Sequence, residues 1–177
     1  PLYSTNDFDC TTYVETILAL ALSSNFKQFK KKLIQIRYQG NKSNYLTRNH
    51  FMSNDWNPNN IKKGYVKDIT ATILNKNKNT IFKIASATID MSNWIRNIPI
   101  KNIKIKDSIN DKNRLGQLHK QASNFSKQQA KIKYLPLSTL FKNNQANQYL
   151  FKQIPSGSII EIVRPNWQLK DKIGTNI

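Results

Sequence analysis

The sequence predicts an α+β fold, because segments with helical periodicity and segments with strand character occur in blocks rather than in strict alternation. Two helical segments come first, over residues 9–36, and strand-like segments follow over residues 65–90. A further helix and a further strand are predicted in the second half. The 177 residues fit one domain, and no Gly/Ser- or Pro-rich linker divides them.

The first helix is predicted over residues 9–22. Asp9 is a candidate N-cap, and Thr12 with Glu15 offers an alternative capping box. Helical spacing places four apolar residues on one face: Val14, Ile17, Leu18 and Ala21. This face is therefore expected to point into the core.

The stretch NFKQFKKKLIQI predicts a second helix, with Phe26, Phe29 and Leu33 facing inward and the lysines facing water. The following stretch, RYQGNKSNYLTRNHFMSNDWNPNN, has little periodicity and predicts a long loop. Long loops inside compact domains are usually functional. This one holds aromatic and ionisable side chains, which often mark binding surfaces: Tyr38, Tyr45, His50, Phe51, Asp55 and Trp56.

The remaining elements are predicted from shorter patterns. YVKDITATIL and TIFKIASATID flank the polar NKNKN and predict a β-hairpin, and PIKNIKIKD predicts a short strand. Residues 111–131 predict a helix with one apolar stripe, and YLPLSTLFK predicts a short helix with Ser138 as N-cap. GSIIEIV, residues 157–163, predicts a core strand.

Composition narrows the function classes. No apolar run reaches the ~20 residues that span a bilayer, so we expect a soluble domain without a transmembrane segment. The net charge of +18 fits either a solubilising surface or an anionic partner. The basic residues are dispersed and no nucleic-acid-reading motif is present, so no nucleic-acid function is expected. Phosphate-loop, dinucleotide and zinc-spacing motifs are also absent, so we expect no cofactor and no metal.

Cys10 is the single cysteine of the chain. It stands at the predicted start of the first helix, where backbone N–H groups and the helix dipole favour a thiolate. Cysteines are also common as small buried residues, so position alone leaves both roles open. His50 could act as a base, a ligand contact or a loop organiser paired with Asp55. His119 is expected to be structural or exposed.

Several stretches, in this order, resemble the N-acetylmuramoyl-L-alanine amidase-like family of NlpC-type, papain-like cell-wall cysteine peptidases: FDCTTYVETILALA, IRYQG, RNHFMSNDWNPNN with VKDIT, IPSGSIIEIVRPNW and IGTNI. The resemblance implies one catalytic domain over residues 1–177, with the nucleophile helix packed on an antiparallel sheet. It implies that Cys10 is the nucleophile. The implied reaction is hydrolysis of the amide between muramic acid and L-alanine in peptidoglycan fragments, which places the protein in the periplasm or cell envelope.

The resemblance also implies which residues bind the muropeptide. The loop over residues 50–56 belongs to the implied cleft, and the candidates are Arg48, His50, Asp55 and Trp56. A stem peptide carries carboxylates, which arginine can bind bidentately. Arg37 and Arg164 are further candidates, although a surface or core role for each of these side chains stays open.

One departure from the family pattern concerns the base. The family's histidine is expected just beyond Ile177, so the chain is expected to be a fragment that lacks both ends and is truncated on its C-terminal side. His50 is the alternative base. Two other readings stay open: a non-catalytic module that binds an anionic cell-wall polymer, and an inactive family member.

Overall fold

The computed structural model describes residues 7–98, 108–169 and 172–176. The α-helices are α1 Cys10–Ala21, α2 Phe26–Arg37, α3 Asn57–Lys62, α4 Met91–Arg96, α5 Ser108–Ala122, α6 Leu137–Leu140 and α7 Gln148–Phe151. The strands are β1 Lys83–Ile89, β2 Gln128–Tyr134, β3 Phe141–Lys142, β4 Gln145–Ala146, β5 Ile162–Leu169 and β6 Lys172–Asn176. They form three antiparallel pairs, β1–β2, β3–β4 and β5–β6. Helices with small antiparallel sheets confirm the α+β prediction.

Helix α1 begins where the sequence predicts, because Asp9 caps it. The Thr12 backbone N–H donates to Asp9 Oδ1 at 2.7 Å, and the Asp9 N–H donates to Thr12 Oγ1 at 3.0 Å. This reciprocal pair replaces the alternative box with Glu15, whose side chain is buried elsewhere. The predicted inward face is correct in part. Val14 and Leu18 pack against the core, whereas Ile17 is 47% exposed and Glu15 and Ala19 are fully buried.

The core lies between α1, α2 and the segment that follows the first loop. Its buried members are Ala19, Phe29, Leu33, Ile36, Met52 and Trp56. Phe29 and Leu33 of α2 face inward as predicted, whereas Phe26 is 56% exposed at the first turn of that helix. The exposed lysines of α2 confirm its solvated face.

The last part of the predicted long loop is helical. Residues 52–56 form a π-helical turn, Met52–Trp56, which runs directly into α3. Met52 and Trp56 belong to the core, and Pro58 sits in the first turn of α3, where its missing N–H costs nothing. Tertiary burial therefore makes this segment helical although its composition indicates turns.

The predicted β-hairpin is wrong in its pairing. Strand β1 pairs with β2, with Ala85 opposite Ile132, and the first predicted strand contributes only an isolated bridge between Leu74 and Thr80. Asp68 Oδ1 accepts from the Thr70 N–H at 2.8 Å, and the chain turns there instead of continuing as a strand. The helix predicted over 111–131 ends at Ala122, because residues 128–134 form β2.

Two further predictions change at the C-terminal side. The predicted strand over 157–163 is wrong in its position, since β5 begins only at Ile162 and Gly157 occupies a turn with φ +81°. Helix α6 begins at Leu137 without a side-chain cap, so Ser138 is not its N-cap. The predicted strand PIKNIKIKD lies over residues 99–107, outside the described residues. None of the described helices is long and apolar enough to cross a membrane.

Candidate active site

Cys10 is the first residue of α1 and is exposed to solvent. In the described part of the chain, no side chain forms a hydrogen bond with its thiol. Partial burial would raise the pKa of the neighbouring Asp9. The Thr12 hydrogen bonds and the charge of Arg48 outweigh that effect and hold the pKa of Asp9 below its ordinary value. The thiol therefore lies at an accessible helix N-terminus, next to an N-cap carboxyl whose pKa the charge of Arg48 helps to lower.

A buried carboxylate lies one helical turn and a half further along α1. Glu15 has no exposed surface, and its Oε2 accepts from Arg37 Nε at 2.6 Å. Its Oε1 accepts from the Trp56 indole N–H at 3.2 Å. Arg48 Nη2 lies 3.6 Å from Oε2. Burial raises the pKa of Glu15, while the charges of Arg48 and Arg37 oppose this rise.

Arg48 is positioned by a short antiparallel contact that folds the first loop back on the end of α2. Tyr38 and Arg48 form an isolated β-bridge, and the Asn49 N–H donates to the Arg37 carbonyl at 2.8 Å. The Arg48 guanidinium also lies 5.9 Å from the Tyr38 ring centroid. Its side chain is 27% exposed, so this arginine reaches from the buried Glu15 to the surface.

His50 packs against two aromatic rings that also contact each other. The centroids of Tyr45 and Trp94 lie 4.6 and 4.8 Å from the His50 centroid. Its Nε2 is 2.7 Å from the Tyr45 carbonyl oxygen, and a carbonyl only accepts, so Nε2 carries the proton. Burial lowers the pKa of His50 to about 4, with a smaller opposing effect from the Tyr45 carbonyl and a small contribution from the charge of Arg48. The imidazole is therefore neutral near neutral pH.

Asp55 organises the backbone below His50. Its Oδ2 accepts from the N–H groups of His50 and Phe51, each at 3.1 Å. Burial raises the pKa of Asp55, and these two hydrogen bonds oppose the rise. The sequence-based pairing of His50 with Asp55 is therefore present through the backbone N–H.

The structure brings the predicted cleft residues into one region but gives them different exposure. Arg48 and His50 reach the surface in part, whereas Asp55 and Trp56 are 7% and 1% exposed. Trp56 thus contributes to the site through Glu15. Arg37 is buried against the same carboxylate, and Arg164 is exposed on β5. Substrate binding by these residues stays a prediction.

Two residues near the site were not predicted from the sequence as site residues. Glu15 carries a signal, since it is the one acid inside the apolar stretch of α1 and shares the buried face with Ala19. Trp94 on α4 carries none, because nothing in its local sequence connects α4 with the loop around His50. Among the described residues, no cluster of three His, Cys, Asp or Glu could hold a metal ion.

Comparison with known proteins identifies the family. A profile of N-acetylmuramoyl-L-alanine amidase-like proteins matches residues 1–171. The chain belongs to the N-acetylmuramoyl-L-alanine amidase-like family. No protein with a curated description matches the sequence.

Solved structures extend this result. Protein LPG0564 from Legionella pneumophila is 39% identical to this amidase-like chain and superposes with a TM-score of 0.91, over 99% of this chain and 59% of its own length. A Bacteroides fragilis protein, provisionally named a xylanase, is 26% identical with a TM-score of 0.50, covering 78% of this chain and 56% of its own. An N-acetylmuramoyl-L-alanine amidase from Bacteroides uniformis is 22% identical over 77% and 53% of the two chains, with a TM-score of 0.49. The amidase-like chain thus spans about 59% of the length of the Legionella protein.

Proposed function

We propose that the protein is a cysteine-dependent amidase that hydrolyses the N-acetylmuramoyl–L-alanine bond of peptidoglycan fragments, with an NlpC-type, papain-like architecture. The observation that carries the proposal is an exposed cysteine at the N-terminus of α1, in a chain of the amidase-like family. A helix N-terminus favours the thiolate form that nucleophilic catalysis needs. The substrate places the proposed enzyme in the periplasm or cell envelope.

In the proposed reaction, the Cys10 thiolate attacks the lactyl carbonyl of the muramoyl–alanine amide. Backbone N–H groups at the start of α1 stabilise the tetrahedral oxyanion, and the Cys10 N–H is the first candidate. A protonated base gives its proton to the alanine nitrogen, and the C–N bond breaks. Water then attacks the thioester, releasing the muramic acid carboxylate and restoring the thiol.

The proposed base is a histidine beyond Ile177 in the full-length protein. The properties of His50 support this choice, since its pKa of about 4 makes it a weak base near neutral pH. Its protonated Nε2 is also occupied by the Tyr45 carbonyl. Arg48 and His50 are the proposed contacts with the muropeptide, and Asp55 and Trp56 hold them in place.

The basic surface favours one second candidate, a non-catalytic module that binds an anionic cell-wall polymer. The exposed face of α2 carries Lys27, Lys30 and Lys31, and the chain has a net charge of +18. Charge alone accounts for binding but not for an accessible thiol at the N-terminus of α1. An inactive family member would share both features.

Incubating the full-length protein with defined muropeptides and analysing the products by mass spectrometry separates these candidates. The amidase releases free stem peptide, and Cys10→Ala abolishes the release while Lys27→Ala, at an exposed position of α2, retains it. Retained hydrolysis in Cys10→Ala would refute cysteine catalysis. Binding without cleavage by the unsubstituted protein would favour the second candidate.

A further inference from the structure

The Glu15 carboxylate collects three donors although it lies inside the core. Arg37 and Trp56 contact its two oxygens at 2.6 and 3.2 Å, and Arg48 lies at 3.6 Å. Burying a carboxylate costs several kcal/mol of desolvation, which only well-placed partners offset. An apolar residue at this helix position would avoid that cost. One of the partners of this carboxylate extends beyond the core to the surface.

The two arginines on Glu15 are not equivalent. Arg37 is 7% exposed and makes the close contact, so it serves the buried carboxylate. Arg48 is 27% exposed and makes the longer contact. A guanidinium has five N–H donors in a fixed plane, so one contact with Glu15 leaves an edge of Arg48 for another anion.

The position of Arg48 shows where that edge lies. Its charge acts on Asp9 at the N-cap of α1 and on His50 and Tyr45 across the loop. Arg48 also contacts Glu15 at 3.6 Å, so it lies along the first half of the helix that begins with Cys10. A lysine would give the same charge there but not the planar, two-point contact with a carboxylate.

We propose that Glu15 is the positioning residue of this site: it fixes Arg48 beside the start of α1 so that Arg48 binds a carboxylate of the peptide that the reaction releases. The inference rests on the proposed function for the identity of the ligand. It makes the site selective for acidic over amidated stem peptides. Trp56 takes part by fixing the orientation of the Glu15 carboxylate.

A simpler role for Glu15 is to neutralise the two arginines, and the two roles predict opposite results. If Glu15 only neutralises, Glu15→Gln increases the positive charge around Arg48 and strengthens anion binding, while Glu15→Asp has little effect. If Glu15 positions Arg48, both variants weaken the preference for the acid. Glu15→Asp keeps the charge but withdraws the carboxylate by one methylene, so it isolates position from charge.

The experiment measures binding by calorimetry in the full-length protein carrying Cys10→Ala, which prevents turnover. The probes are N-acetylmuramoyl-L-alanyl-D-glutamate and the same molecule with both glutamate carboxylates converted to amides. We expect the unsubstituted Glu15 protein to prefer the acid by roughly tenfold or more, the range of a charge-assisted hydrogen bond. Glu15→Asp and Glu15→Gln lose most of this preference, and Arg48→Lys loses it equally. Arg96→Lys, an arginine on α4 bound to Ser92, keeps it.

Folding is checked by circular dichroism, because both Glu15 variants disturb a buried pair. If they do not fold, Trp56→Phe and Arg48→Lys decide the question. Trp56→Phe keeps a smaller aromatic ring and all charges but removes the indole donor to Glu15, so a roughly threefold loss of preference supports positioning. An unchanged or increased preference for the acid in these substituted proteins overturns the proposal. Equal binding of the two probes by the Cys10→Ala parent also overturns it. If the binding experiment shows a preference for the acidic probe but the protein that retains Cys10 does not hydrolyse muropeptides, the proposed amidase is refuted and the role of Glu15 stands.

Discussion

His50 makes the stability of the fold depend on pH in a defined direction. Its packing against Tyr45 and Trp94 buries the imidazole, and burial lowers its pKa from 6.5 to about 4. The unfolded chain therefore binds the proton more tightly than the folded chain. The contribution of neutral His50 is fully present above about pH 6.5 and is lost as the pH falls toward 4.

The size of the effect follows from the two pKa values of His50. A fall from 6.5 to about 4 corresponds to about 3 kcal/mol of unfolding free energy once both states are fully titrated. At about pH 4.5 we expect a loss of about 2 kcal/mol, since titration is incomplete there and solvent screens part of the ring. His50→Gln retains an N–H donor for the Tyr45 carbonyl but does not titrate. When the pH falls from about 7.5 to about 4.5, the unfolding free energy of His50→Gln should therefore decrease by about 2 kcal/mol less than that of the unsubstituted protein.

Urea unfolding at the two pH values, followed by tryptophan fluorescence, measures this difference. Among the described residues, burial raises the pKa of the Glu15, Asp55 and Glu161 carboxyls. They act in the opposite direction but are present in both proteins, so they cancel in the comparison. His119→Gln serves as the matched control. The same stability difference between the unsubstituted protein and His50→Gln at both pH values would contradict this prediction. Loss of the pH dependence in His119→Gln instead of His50→Gln would also contradict it.

Two further predictions concern the frame of the site. Asp9→Ala removes the cap of α1 and should lower the unfolding free energy by about 1 kcal/mol, whereas Asp9→Asn keeps an acceptor and should stay within about 0.5 kcal/mol of the parent in urea unfolding. Leu33→Ala empties a fully buried core position and should cost about 2 to 5 kcal/mol in the same measurement. Leu20→Ala, at a 52% exposed position of α1, should cost about 0.5 kcal/mol or less, and equal losses at the two leucines would contradict the assigned core.

The first two helices were predictable because their signals are local. Asp9 and Asn25 accept hydrogen bonds from the N–H groups three residues later, at 2.7 and 3.0 Å, and this geometry is encoded within one turn of sequence. The inward face of α2 was also largely predictable, since Phe29 and Leu33 keep helical spacing. The face of α1 was predictable only in part, because residues 17–22 are all apolar and surround the helix, so the pattern there does not distinguish a buried side from an exposed one.

The strands were less predictable because their pairing is non-local. Residues of β1 and of the segment before it have similar strand character, but β1 finds its partner in β2, about 40 residues later along the chain. The Asp68–Thr70 turn decides against the nearer partner. Similarly, residues 128–131 continue a helical pattern from α5, yet burial of Ala130 against β1 makes them a strand.

The candidate site shows the same division between local and non-local information. Cys10 could be placed at a helix start from its neighbours alone, and the structure confirms that position; the exposure of the thiol is a finding of the structure. The partners of Arg48 could not be inferred, because Glu15, Arg37 and Trp56 come from three different segments that only the packed core brings together. Burying a glutamate of an apolar helix is unfavourable unless cationic side chains from elsewhere in the chain contact it. Such a residue in this helix therefore predicts cationic partners from elsewhere in the chain. Here one of those partners, Arg48, is partly exposed and contacts the same helix that begins with Cys10.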